Sequence, residues 1–78
     1  MTKRDKLVDK IRARPAQARF DDVQTLVELF GYRLKSQNGS HARFAKAGAR
    51  SITIPKVGGQ YVLGVYLDQI CDLLGLDD

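Results

Sequence analysis

A single histidine stands among cations in this chain. His41 is its one imidazole. Between Glu28 and Asp68 there is no carboxylate, while Arg33, Lys35, Arg43, Lys46, Arg50 and Lys56 all fall in that interval. An imidazole ordinarily titrates near neutral pH, so it can take up and release protons under working conditions. Guanidinium and ammonium groups hold phosphate oxygens and stabilise the extra negative charge of a pentacoordinate transition state. These residue types together suit a phosphodiester. If the histidine takes its proton from an attacking 2′-hydroxyl, the substrate is RNA rather than DNA. No metal or other cofactor is needed for that chemistry, and the chain has no CxxC pair and no second histidine from which to build a metal cage. A plainer reading also fits the same residues: a polar surface histidine on a solvated basic face.

Composition sets the frame for the elements that must position these groups. The 78 residues carry 13 Lys and Arg against 9 Asp and Glu, a net charge of +4. That length supports one domain with one modest core. The domain is read as residues 1–78, with 1–19 as a helical extension and 20–76 as the core. One cysteine, Cys71, cannot form an internal disulfide, and it falls in the apolar stripe of an expected helix, where it is a small core residue. No apolar run approaches the ~20 residues that span a bilayer, and the basic N-terminus has no apolar signal core. The expected location is the cytoplasm, with no membrane partner.

The period of the apolar residues divides the chain. Thr2 can cap a helix over 3–14, with Leu7, Val8 and Ile11 as a narrow stripe and Pro15 as its stop. This helix is expected to pack loosely, followed by a connector at 15–19. A second helix is expected after an Asp21 or Asp22 cap, with Phe20 as a hydrophobic staple. Val23, Leu26, Val27 and Phe30 form its apolar face, and Gly31 ends it. From Tyr32 the period becomes two. A strand leads to a turn at Gln37-Asn38-Gly39, a second strand runs over about 40–45, and Lys46-Ala47-Gly48-Ala49 turns into a third strand at 51–54. A flexible loop at 57–60 precedes a last helix that begins near 63–65. In that helix Leu67, Ile70, Cys71 and Leu74 make one face, and Gly75 with Leu76 closes it. The expected fold is α+β, in the order α-α-β-β-β-α, with helices on one face of a three-stranded antiparallel sheet and the other face open.

Strand alternation then assigns faces. Tyr32, Leu34, Ala42, Phe44, Ile52 and Ile54 are expected to face the helices. Arg33, Lys35, Gln37, His41, Arg43, Ser51 and Thr53 are expected on the open face. A slip of one residue would invert any strand.

The run Gly31-Tyr32-Arg33-Leu34-Lys35-Ser36-Gln37-Asn38-Gly39-Ser40-His41-Ala42-Arg43-Phe44 resembles the signature of HicA toxins. In these, an amphipathic helix ends in a glycine and an aromatic residue, and a strand leads to Gly-Ser-His. Ser51-Ile52-Thr53-Ile54-Pro55 is similar to the family's apolar strand ending in proline, and the segment 65–74 is similar to its C-terminal helix. The resemblance covers about residues 21–76. It implies a fold like the double-stranded-RNA-binding domain and a toxin of a toxin–antitoxin system. Such a toxin is an endoribonuclease that cleaves mRNA, held in check by a HicB-type antitoxin, with DNA reached only through that antitoxin. The family's catalytic histidine falls on His41, and its neighbouring glycine and serine fall on Gly39 and Ser40. Gly39 also reads as a turn residue, and Ser40 as a residue that bonds its own turn. Arg33, Lys35 and Arg43 are the substrate-binding candidates, and an antitoxin is expected to meet them with carboxylates. The chain departs from the pattern in its helix at 3–14 and in Ala42, where many relatives carry a larger residue. It also lacks a lysine in Gln60-Tyr61-Val62-Leu63-Gly64.

Two other classes remain open on the residues. A noncatalytic RNA-binding module would use the basic face, with His41 incidental. A small interaction subunit would use the sheet to meet an acidic protein. No helix carries a row of base-reading side chains for direct DNA binding.

Overall fold

The computed structural model describes residues 2–58 and 60–76. Gly59 of the expected loop and the acidic tail at Asp77 and Asp78 lie outside the described residues. The elements are α1 (Lys3–Arg12), β1 (Gln17–Arg19), α2 (Phe20–Leu29), β2 (Arg33–Asn38), β3 (His41–Ala45), β4 (Ile52–Pro55), β5 (Tyr61–Leu63) and α3 (Gly64–Leu74). The chain is α+β, with a three-stranded antiparallel sheet in the order β2-β3-β4. The expected element order is incomplete. Residues 17–19 and 61–63 form a second, two-stranded antiparallel sheet, β1-β5. Each strand has three residues, too few to display a period in the sequence. They are strands because they pair with each other.

The first helix is part of the core, which corrects the expectation of a loose appendage. The Thr2 hydroxyl accepts the Asp5 N–H at 3.2 Å as its N-cap. Leu7 and Ile11 are buried, Ile11 completely. The thiol of the buried Cys71 lies 3.9 Å from the Ile11 carbonyl oxygen. Lys10 pairs with Asp22 at 2.6 Å, tying α1 to α2, and Arg14, two residues beyond the end of α1, pairs with Asp68 of α3.

The cap of α2 also differs from expectation. The helix starts at Phe20, and Arg19 stands at the N-cap without a side-chain bond. The Phe20 N–H donates instead to the Gln60 carbonyl at 2.7 Å, so the chain before β5 does the work of a cap. Asp21 and Asp22 lie in the first turn, where the helix dipole favours negative charge. At the other end the Tyr32 N–H reaches the Val27 carbonyl and the Gly31 N–H reaches the Glu28 carbonyl. This is a Schellman closure, and Gly31 supplies its left-handed residue at φ +96°. Gly75 and the buried Leu76 close α3 in the same way.

Ala42, Phe44 and Ile54 are buried on one face of the large sheet and join one cluster with Val23, Leu26, Val27, Leu67 and Ile70. The Phe20 and Phe44 rings, 6.2 Å apart between centroids, link the start of α2 to β3. The residues that alternate with these on β3 and β4 are exposed or half-buried, so the opposite face is open.

Candidate functional site

The open face is organised by β3, its central strand. His41 pairs with Asn38 of β2 and Pro55 of β4, and Arg43 pairs with Ser36 and Thr53. Directly opposed residues share a face. One row is therefore Asn38, His41 and Pro55, and the next is Ser36, Arg43 and Thr53. All but Pro55, which is half-buried, are exposed. Arg43 reaches across to Ser51, with its guanidinium 3.5 Å from the hydroxyl. No hydrogen bond to the His41 ring is found among the described residues.

The hairpin turn puts His41 at the rim of the sheet. Asn38 and His41 are the last pair, leaving Gly39 and Ser40 as a two-residue loop. Gly39 has φ +57°, and Ser40 is not in the positive-φ region. That combination belongs to a type II′ turn, whose first central position favours glycine. The turn is braced from the side, because the Lys56 N–H donates to the Ser40 carbonyl at 2.7 Å. Pro55 has no N–H to give, which an edge strand tolerates, and the first donor after it serves the turn.

A bulge changes the reading of β2. The register shifts between Leu34 and Ser36, leaving Lys35 as the extra residue. Before the bulge Arg33 pairs with Ala45, on the face of His41 and Arg43, and Leu34 pairs with Phe44. After it the phase is reversed. Ser36 and Asn38 share the open face, and Gln37, expected there, pairs with Ala42 on the helix side. Leu34 is on the helix side as expected but keeps 39% exposure, because β2 is an edge strand.

Of the expected site residues, the structure gathers Gly39, Ser40, His41 and Arg43 around the hairpin end. Arg33 stands apart. Its partner Ala45 is four residues along β3 from His41, or about 13 Å at the usual strand rise. Lys35 and Arg33 line one open hollow with Lys46. The sequence pattern does not mark Ser36 or Asn38 as residues of the open face, and it shows Lys56 only as one member of the cation block. The first two are hidden by the bulge, and Lys56 acts through its backbone, which no pattern of side chains reveals. The Lys56 ammonium meanwhile sits 4.3 Å from the centroid of the Phe20 ring.

Among the described residues the ion pairs Lys10–Asp22 and Arg14–Asp68 involve no residue of either sheet. Among the described residues no three or more His, Cys, Asp or Glu side chains come together as a metal site, and no helix is long and apolar enough to cross a membrane. Comparison with protein-family models, curated proteins and solved structures finds no match to this chain.

Proposed function

We propose that this protein is a HicA-type toxin with a fold like the double-stranded-RNA-binding domain, and that it cleaves mRNA in the cytoplasm on the open face of its sheet. The observation that carries the reading is the exposure of His41 and Arg43, two residues apart, on one face of β3, with the hydroxyls of Ser36, Ser51 and Thr53 beside Arg43. The resemblance of residues 31–44 to the family signature supports it independently. In this reaction the His41 imidazole takes the proton of a ribose 2′-hydroxyl. The 2′-oxygen bonds to the adjacent phosphorus to form a 2′,3′-cyclic phosphate, the P–O5′ bond breaks, and the leaving 5′-oxygen takes a proton from water. Arg43 holds the non-bridging oxygens as their charge grows. Ser40 and Gly39 shape the rim at which the scissile phosphate sits, and Arg33 and Lys35 hold flanking backbone. No metal takes part. A HicB-type antitoxin would cover the face with carboxylates placed against Arg33, Lys35 or Arg43.

One observation favours a second reading, an RNA-binding module without catalysis: no hydrogen bond orients the His41 ring among the described residues. A single experiment separates the two. Labelled single-stranded RNA is incubated in chelator with the parent protein and with His41→Ala, after circular dichroism shows both folded. Cleavage by the parent alone is the expected result. Binding by both without cleavage selects the noncatalytic module, and equal cleavage by both removes His41 from the mechanism.

A further inference from the structure

The end of the sheet opposite the hairpin holds a second cationic feature. Gly31, Arg33, Lys35, Ala45, Lys46 and Ala47 line an open hollow of about 550 Å³. Three of these six carry positive charge and none carries a carboxylate. Glu28 lines the adjoining hollow, which it shares with Arg33, and no ion pair joins the two among the described residues.

The hollow is held in shape by the end of α2. The Lys46 ammonium donates to the Phe30 carbonyl at 2.9 Å and lies 5.8 Å from the centroid of the Tyr32 ring. It thereby caps the negative end of the helix dipole. Gly31 makes room for it, since a Cβ there would stand 3.2 Å from Lys46 Cε and 3.5 Å from its Nζ. One of the three ammonium protons is used on Phe30, leaving two for a ligand. Arg33 and Lys35, two residues apart on the edge strand β2, line the same hollow, and the phase of the strand reverses only beyond Lys35. A positioned ammonium, a guanidinium and a second ammonium around one open hollow match the charge and donor needs of a phosphate group.

We propose that Arg33, Lys35 and Lys46 form a second phosphate subsite for an RNA backbone, distinct from the scissile site at His41. The proposal rests on the reading of the open face as an RNA site and extends it. The Arg33 end of the subsite lies about 13 Å from His41 along the sheet. That is about four nucleotides of a stacked strand at ~3.4 Å each. The protein therefore engages a run of single strand and favours substrates long enough to fill both sites.

The test measures binding, not cleavage. Fluorescein-labelled oligoadenylates, which stack, of four and twelve nucleotides are titrated with the His41→Ala protein, and with the same protein carrying Arg33→Gln and Lys35→Gln, across a salt series. A third protein carries Lys46→Gln alone and is checked by circular dichroism, because Lys46 also caps α2. The expected result is tighter binding of the twelve-mer than of the four-mer by His41→Ala, with that advantage lost in the double variant. The twelve-mer's log–log salt slope should become shallower by about 0.7 for each cation removed. Lys46→Gln, while folded, should lose about 0.7 of slope as well. Twelve-mer binding with an unchanged slope in both sets overturns the subsite and leaves the RNA reading standing. No binding of either RNA by His41→Ala overturns both.

Discussion

The β2-β3-β4 sheet joins segments that follow one another in the chain, whereas the β1-β5 pair joins residues 17–19 to residues 61–63. The first leaves a face open, where His41 and Arg43 stand exposed. The second buries its centre, with Ala18 opposite Val62, and its flanks hold the starts of two helices. Phe20 N–H bonds Gln60, and Gly64 N–H bonds Ala16 at 2.9 Å. The local sheet carries the exposed His41 and Arg43, and the non-local pair fixes the starts of α2 and α3. Loop-closure entropy makes the non-local contact the costlier one to form, so it is secured by burial, while the hairpins need only turn residues.

Substitutions on the two regions should therefore separate into two readouts. The largest effect is expected from His41→Ala. RNA cleavage should fall by about 10²–10⁴-fold, with a melting temperature close to that of the parent. A matching loss of stability would mean that His41 belongs to the structural half. Ile11→Ala should do the reverse, costing about 2–5 kcal/mol in urea unfolding, a large share of the ~5–15 kcal/mol that a domain possesses. The cleavage rate per folded molecule should hold. A cost near zero would return α1 to the status of an appendage.

Gly64→Ala tests the clamp itself. Its Cβ would stand 2.9 Å from the Pro15 carbonyl oxygen, and the backbone must shift at a cost of about 1–3 kcal/mol. An unperturbed melting curve would show that the approach is not a constraint. Gly39→Ala sharpens the comparison, because the turn closes the β2-β3 hairpin and also carries the proposed site. A positive φ costs an L-residue about 1–2 kcal/mol, and the displaced turn carries Ser40 and His41. Stability and cleavage should fall together, and a change in one alone would uncouple turn from site. Smallest is Lys10→Gln. The pair with Asp22 is 53% and 27% exposed, so its loss should cost no more than about 1 kcal/mol. High salt should erase the difference, and a larger, salt-insensitive loss would show that the pair is not a simple surface contact.

The extent to which the sequence foretold this molecule follows the range of each interaction. The apolar faces of α2 and α3 are legible because helical periodicity lies within a few turns of chain. Gly31, Gly39 and Gly75 all adopt positive φ, as helix ends and a tight turn demand. The outward placement of His41 and Arg43 is legible because β3 alternates without interruption from Ala42 to Phe44. On β2 the same rule carries only to Leu34, since the bulge at Lys35 is an accommodation to the partner strand and leaves no mark in the local pattern. The Asp21 or Asp22 cap fails for a related reason: Gln60, from a distant segment, offers a carbonyl to Phe20. Gly64 gives no turn signal, because what excludes a side chain there is the backbone at Pro15.

By itself the sequence determined the helical faces, the glycine turns, the cation block and the phase of the central strand. Each depends on residues close in the chain and on backbone geometry that repeats. Only the tertiary structure decided the β1-β5 pair, the reversed phase beyond Lys35, the bracing of Ser40 by Lys56 and the meeting of Lys46 with Arg33 and Lys35. Each depends on a partner that folding brings near, and three-residue strands, a bulge and a backbone donor have no periodicity by which that partner could be foretold.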